Sequence, residues 1–214
     1  MMKYKTLILD FDGTLADTKG SIIQSMKFVA NSFNIKNVDE KLIESLIGLP
    51  LRTTFEKVFL LDEKLIQEAT LIYRKHYNEI VIDTISLFDG VKDTLLDFHS
   101  KGINLTVASS KGKDALIKIL KKQNIYDIFL FVGGVEDAKN KKPSPDIINL
   151  IMEKYNYKPN ECLVIGDTIF DIEMGQRANV DTCGVTYGNN TKEKLRKQKP
   201  NYIIDTFRNL TEIV

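Results

Sequence analysis

The sequence predicts an α/β fold: a doubly wound parallel sheet with a small all-helical insert directly after its first strand. Three observations predict it. From residue 85 onward, short continuous apolar runs alternate with amphipathic ones. Such strands, separated by helices, belong to a parallel sheet covered on both faces. The opening run "KTLILDF" has the same strand character. Residues 18 to about 82, between these parts, show helical spacing and no strand.

Taken in order, "KTLILDF" (5–11) is the first strand. In "KGSIIQSMKFVANSF" (19–33), Ile22, Ile23, Met26, Val29, Ala30 and Phe33 recur at helical spacing. Asp39 is placed to cap a helix in "EKLIESLI", which Gly48 and Pro50 then end. Two more helical stretches follow, 52–60 and about 63–80. Beyond them, "INLTVASS" (103–110) is a strand, and "GKDALIKILKKQ" (112–123) a helix with Leu116, Ile119 and Leu120 on one face. "IFLFVGG" (128–134) is a strand and "PSPDIINLIMEKYN" (143–156) a helix entered through prolines. "ECLVIGD" (161–167), "IFDIEMGQRA" (169–178) and "VDTCGVTYG" (180–188) read as strand, helix and strand, and the tail repeats the rhythm more weakly. The division expected is a core of residues 1–17 and 83–214 and a helical cap of residues 18–82.

Composition excludes several classes of function. With 30 Lys+Arg against 29 Asp+Glu, the formal net charge is +1, which leaves no basic footprint for nucleic acid or an acidic membrane surface. No apolar run approaches the ~18 residues of a membrane span. The start "MMKYKTLILD" meets Asp10 too early for a signal peptide. Cys162 and Cys183 lie in apolar strand-like runs and read as reduced core thiols, so the cytoplasm is the expected compartment.

Ligands of open α/β sheets bind outside the carboxyl ends of the strands. There the first strand presents Asp10, Asp12 and Thr14, "INLTVASS" presents Ser109 and Ser110, and "ECLVIGD" presents Asp167 with Asp171 one helical turn on. Lys142 stands at the entrance of the helix in "KKPSP". Clustered carboxylates repel one another unless a hard cation sits among them, and oxygen ligands suit Mg²⁺. A hydroxyl and an ammonium suit a phosphate dianion instead. Gly13 lets backbone amides approach the anion, and Thr14 reads as a loop-fixing residue. Strand alternation alone would aim Asp10 and Asp12 to opposite faces, so a turn at Gly13 is expected. One Asp then attacks phosphorus, and the other handles protons.

These residues resemble the signatures of the haloacid dehalogenase superfamily in its phosphatase branch, whose core is Rossmann-like. "DFDGTLAD" is similar to the first signature, Ser109 to the second, Lys142 in "KKPSPD" to the third and "GDTIFD" to the fourth. The order is right and the match spans nearly the whole chain. The resemblance implies a nucleophile at Asp10, a general acid/base at Asp12, and Mg²⁺ held by the Asp10 side chain, the Asp12 carbonyl and Asp167. It places Asp171 beside them to orient Lys142 or a metal-bound water, and it makes the helical insert a mobile cap over the substrate. "LIGLPLRTTF" (46–55) is similar to the cap of the phosphoglycolate phosphatase-like subfamily, whose relatives include the beta-phosphoglucomutases.

The expected activity is hydrolysis of a small phosphorylated metabolite. The alternatives are a sugar-phosphate mutase and a pyrophosphatase of the same family. Gly166, where many mutases carry an acidic residue, leans toward a hydrolase, and Asp12 argues against dehalogenation. A receiver domain also combines acids, Mg²⁺, a hydroxyl and a lysine, but it lacks a helical insert after its first strand. Arg52 in the cap is a candidate for bidentate binding of a substrate carboxylate or phosphate, or else a solvent-facing helix residue. His76 and His99 have no partners at metal-ligand spacing and read as core or surface residues.

Overall fold

The computed structural model describes residues 3–214. Six parallel strands form the sheet: β1 (Thr6–Leu9), β4 (Asn104–Ala108), β5 (Phe129–Gly133), β6 (Cys162–Gly166), β7 (Asp181–Val185) and β8 (Tyr202–Ile204). Their order is β5-β4-β1-β6-β7-β8. The chain therefore winds outward from β1 in both directions, and β1 lies between β4 and β6, with Leu9 beside Val107 and Ile165. Reversal of strand order at this point leaves a crevice beyond the carboxyl end of β1, where the connections diverge to opposite sides.

The continuous apolar runs are explained by the packing. Leu7 and Leu9 face one cluster with Leu105, Val107, Leu163 and Ile165, while Ile8 and Val164 face the other with Ile147, Ile148, Ile151 and Met174. Helices α5 (Val91–Ser100), α6 (Lys113–Lys122), α7 (Asp146–Tyr155), α8 (Ile169–Arg177) and α9 (Lys192–Lys197) follow the core strands, and a 3₁₀ segment, Phe207–Glu212, ends the chain. Cys162 and Cys183 are buried free thiols, and burial pushes both up to about 12.

Between β1 and α5 the chain is helical: α1 (Lys19–Ser32), α2 (Glu40–Leu46), α3 (Leu51–Val58) and α4 (Glu63–His76). Asp39 caps α2 as expected, its Oδ1 accepting from Leu42 N at 3.0 Å. Asp62 does the same for α4. The helix expected over 63–80 is α-helical only to His76 and continues as a π-helical turn, Tyr77–Val81, and a 3₁₀ turn, Ile82–Thr84. Two-residue strands, β2 (Ala16–Asp17) and β3 (Ser86–Leu87), pair antiparallel and draw together the two ends of this helical excursion. No helix among the described residues is long and apolar enough to cross a membrane.

His76 is buried, its Nδ1 lies 3.0 Å from Ser25 Oγ, and its ring stacks on Phe28 with centroids 4.1 Å apart. It ties α4 to α1. His99 is exposed on α5.

Candidate active site

Backbone geometry at the end of β1 sets the site. The Asp10 amide donates to the carbonyl of Ile165 at 2.9 Å, which holds Asp10 level with the end of β6. Gly13 then adopts φ +87°, and its amide donates to the Ala16 carbonyl at 2.9 Å. This is the turn expected from the two aspartates. A Cβ at Gly13 would lie 2.3 Å from both Asn189 Nδ2 and Asp167 Oδ2, so close approach as well as conformation requires glycine.

Asp10, Asp167 and Asp171 are 3% exposed or less, and one oxygen from each lies within 4.8 Å of the others. Lys142, itself buried, donates to Asp10 Oδ1 at 2.5 Å and to Asp171 Oδ1 at 2.7 Å. It is delivered by the turn before α7, whose Lys142–Pro143 peptide is cis. The second oxygen of Asp171 accepts from the Thr168 amide at 3.0 Å and hydroxyl at 2.6 Å, which fixes it at the start of α8. Asp167 accepts from Thr14 Oγ1 at 3.1 Å on one oxygen, and from the amide and side chain of Asn189 at 2.6 and 2.8 Å on the other. Asp10 Oδ2 is buried and has no hydrogen-bond partner.

These surroundings shift the protonation of the cluster. Burial pushes Asp10 well above the usual carboxylate range; Lys142 opposes this, while Asp171, Asp167 and Asp12 add to it. Burial, helped by Asp171, pushes Asp167 up to about 7 against its hydrogen bonds to Asn189 and Thr14. Burial would lower Lys142, but Asp10 and Asp171 outweigh it and hold the ammonium above its ordinary value. When ionised, three carboxylates around one ammonium leave an excess of two negative charges, which a divalent cation cancels. An all-oxygen donor set with one buried, unpartnered carboxylate oxygen therefore fits a hard divalent ion.

The other candidates fall around this cluster. Asp12 Oδ1 accepts from Lys111 Nζ at 2.8 Å, and the Asp12 carbonyl faces Asn189 Nδ2 at 3.5 Å. Ser109 is buried just past β4, its Oγ accepting from the Lys111 amide at 3.2 Å. Ser110 Oγ donates to the Gly48 carbonyl at 2.7 Å, joining the core to the helical layer. Arg52 also borders the cavity, but its guanidinium is taken up at the exposed rim by Glu56 and Glu63. Of the two readings of Arg52, the solvent-facing one describes this arrangement.

Two neighbours were not singled out by sequence reasoning. Lys111, only 8% exposed at its side chain, directly follows the paired serines and lies over the Tyr77 ring, 4.2 Å from its centroid. Asn189 stands in "YGNN" beyond the carboxyl end of β7, a strand end that the same reasoning about ligand placement would have covered.

Above the carboxylates, between the strand ends and the helical layer, is a cavity of about 690 Å³ whose lining includes Asp10, Asp12, Ser109, Ser110 and Lys142. An acidic floor carrying one buried ammonium, at the carboxyl edge of a doubly wound sheet and roofed by helices, is suited to phosphoryl chemistry, and the relatives of the chain are hydrolases of the phosphatase class. The chain belongs to the haloacid dehalogenase-like hydrolase family, whose sequence model matches residues 7–185. It is similar to the pyrophosphatase PpaX of Oceanobacillus iheyensis, at 29% identity over 100% of this chain and 98% of that one. It is similar also to a phosphoglycolate phosphatase of Colwellia psychrerythraea, at 27% identity over 98% and 96%. Among solved structures, a predicted phosphatase from Clostridium acetobutylicum superposes with a TM-score of 0.89 at 29% identity, covering 98% of this chain and 97% of that one. A haloacid dehalogenase-like protein from Bacteroides fragilis gives 0.92 at 26% identity, over 97% and 100%.

Proposed function

We propose that the chain is a Mg²⁺-dependent phosphatase that hydrolyses a small phosphorylated metabolite through an aspartyl phosphate at Asp10. The observation that carries this reading is the state of Asp10: buried on the cavity floor, one oxygen held by Lys142 and the other without a partner.

The Asp10 side chain, the Asp12 carbonyl and Asp167 would hold the ion. When bound, it supplies charge neutralisation between the carboxylate and the incoming phosphate dianion. Lys142 adds a fixed positive charge on the same side, and Asp171 and Thr168 keep that ammonium in place. Ser109, with its hydroxyl beside the end of β4, is the donor to a phosphate oxygen, and Gly13 leaves room for backbone amides to do the same. An Asp10 oxygen attacks phosphorus, and the bond from phosphorus to the leaving oxygen breaks. Asp12 gives that oxygen its proton, then takes one from the water that releases phosphate and restores Asp10. Lys111, paired with Asp12, keeps its carboxyl turned toward the cavity.

Residues 18–82 act as a cap that seats on the core formed by 1–17 and 83–214, excluding bulk water during attack on phosphorus and leaving room for the one water that releases phosphate. The contact from Ser110 to Gly48 is one point of seating. Gly166 favours hydrolysis over phosphoryl transfer to a second sugar phosphate. A Cβ there would fall 2.2 Å from Asp171 Cβ, so the acidic side chain many mutases carry has no room. Phosphate release with Mg²⁺ across phosphoglycolate, pyrophosphate, sugar phosphates and p-nitrophenyl phosphate tests the proposal. Release by the parent and none by Asp10→Asn is expected; equal release by both contradicts it.

A further inference from the structure

The loop that follows β7, "YGNN" (187–190), packs against the carboxylate floor along its whole length. Tyr187 Oη donates to the Thr14 carbonyl at 2.9 Å. A Cβ at Gly188 would fall 2.3 Å from Asp167 Cβ and 2.4 Å from the Gly13 carbonyl oxygen, so the loop backbone lies directly on the turn after β1. The Asn190 amide donates to the Asp167 carbonyl at 3.3 Å, and its buried side chain accepts from the Ile169 amide at 3.1 Å. These three residues fix backbone. The fourth, Asn189, turns its side chain to the acidic cluster itself.

Asn189 reaches two of the groups assigned to the ion. Its backbone amide and Nδ2 both donate to Asp167 Oδ2, at 2.6 and 2.8 Å, and Nδ2 also faces the Asp12 carbonyl at 3.5 Å. The amide nitrogen belongs there, because an amide oxygen would face a carboxylate oxygen. A carboxylate has about four lone-pair sites. On Asp167, Asn189 takes the two of Oδ2, and Thr14 Oγ1 takes one of Oδ1 at 3.1 Å. One site is left, on Oδ1. Asp167 is fully buried, so these three donors rather than solvent set its orientation. The residue type follows from charge. An aspartate at 189 would set a further carboxylate beside those already buried together, and an alanine would leave Oδ2 with one donor.

We infer that Asn189 is a positioning residue of the divalent-cation site: it holds Asp167 by Oδ2, so that Oδ1 is the oxygen left for the ion, and it sets the separation of Asp167 from the Asp12 carbonyl. The inference rests on the Mg²⁺ reading above and adds to it a residue outside the ligand set. Removing a partner that is hydrogen-bonded to a metal ligand weakens metal binding by about ten- to a hundredfold. Such partners matter most for a small ion. Mg²⁺ demands near-ideal octahedral geometry at short distances, whereas Ca²⁺ accepts looser and more variable arrangements. A site held by Asn189 is therefore built for the smaller ion, and loosening it weakens Mg²⁺ more than Ca²⁺.

Calorimetric titration of Mg²⁺, and separately of Ca²⁺, into the metal-free protein tests this without reference to turnover. Asn189→Ala keeps the loop backbone and its amide donor and removes Nδ2. Kd for Mg²⁺ should rise about ten- to a hundredfold. Kd for Ca²⁺ should rise by a factor at least about three times smaller. The increase in melting temperature on adding a fixed concentration of Mg²⁺ should shrink with the affinity. A Kd for Mg²⁺ within about twofold of the parent overturns the inference, even if the variant melts lower, because the side chain then supports only the fold. Equal losses for both ions overturn it too, since positioning discriminates by ion size. Asn189→Ser, whose side chain ends one atom short of Nδ2, is read by the same criteria should Asn189→Ala not fold. A folded parent that binds neither ion refutes the Mg²⁺ reading, and the inference falls with it. Binding by the parent with an unchanged variant refutes the inference alone.

Discussion

Lys142 gives the carboxylate cluster its counter-charge, and its removal leaves Asp10 and Asp171 facing each other with side chains 3% and 0% exposed. Breaking a buried pair from one side costs about 3–5 kcal/mol. Lys142→Met is therefore expected to lower the unfolding free energy obtained from urea titration by that order without added metal, and the midpoint with it. Protonation of Asp10, already pushed up by burial, draws the cost toward the lower end. An unchanged midpoint would show that the ammonium does not balance this site. The sequence made this cluster legible because each member sits at a strand end or a helix entrance, positions fixed by the α/β rhythm. Lys111 was not legible because its importance lies in reaching across to Asp12, 99 residues away, whereas Asn189 stands at the end of β7, where the strand-end argument reaches it.

Elements show the same division. The opening strand and the turn after it were readable from "LDFDGT", and Gly13 carries the positive φ that the turn needs. Gly13→Ala would place a methyl group against Asp167 and Asn189 in a conformation that L residues rarely adopt. The expected cost is about 1–3 kcal/mol, with phosphate release reduced more than about a hundredfold because Asp12 shifts with the turn. Thermal denaturation and a phosphate assay on one preparation check both, and a variant active at parental rate would refute the stated role of the turn. The π-helical turn at Tyr77–Val81 was not legible, since "RKHYNEIV" keeps helical character while only the hydrogen-bond register changes. Nor were β2 and β3, because two-residue strands are too short to show a period.

At the scale of the molecule, the alternation of strands and helices gave the parallel sheet, and its interruption gave the helical layer. How that layer meets the core depends on pairings such as Ser110 with Gly48 and Arg74 with Glu136, which no local pattern encodes. Within the layer, His76 holds α4 to α1, and burial lowers its basicity. The unfolded chain protonates this imidazole near the ordinary value of about 6.5, and the folded chain only at lower pH. Between those values the unfolded state binds more protons, so the contribution is complete above about pH 6.5 and stability falls as pH drops below it. The melting temperature followed from about pH 7.5 down to about pH 5 should fall less steeply in His76→Gln than in the parent. Identical slopes would mean that His76 titrates alike in both states.

In the proposed mechanism Asp10 carries the phosphoryl group and Asp12 is needed to release it. With p-nitrophenyl phosphate the leaving oxygen needs no proton, so an Asp12→Asn protein should be phosphorylated but slow to discharge. Mass spectrometry of that variant, quenched in acid after mixing with p-nitrophenyl phosphate and Mg²⁺, tests this most directly. One phosphoryl group is expected on the peptide spanning β1, at Asp10, and none when Asp10→Asn is added. Phosphate released at the parental rate with no label on that peptide, or label on another residue, would contradict it.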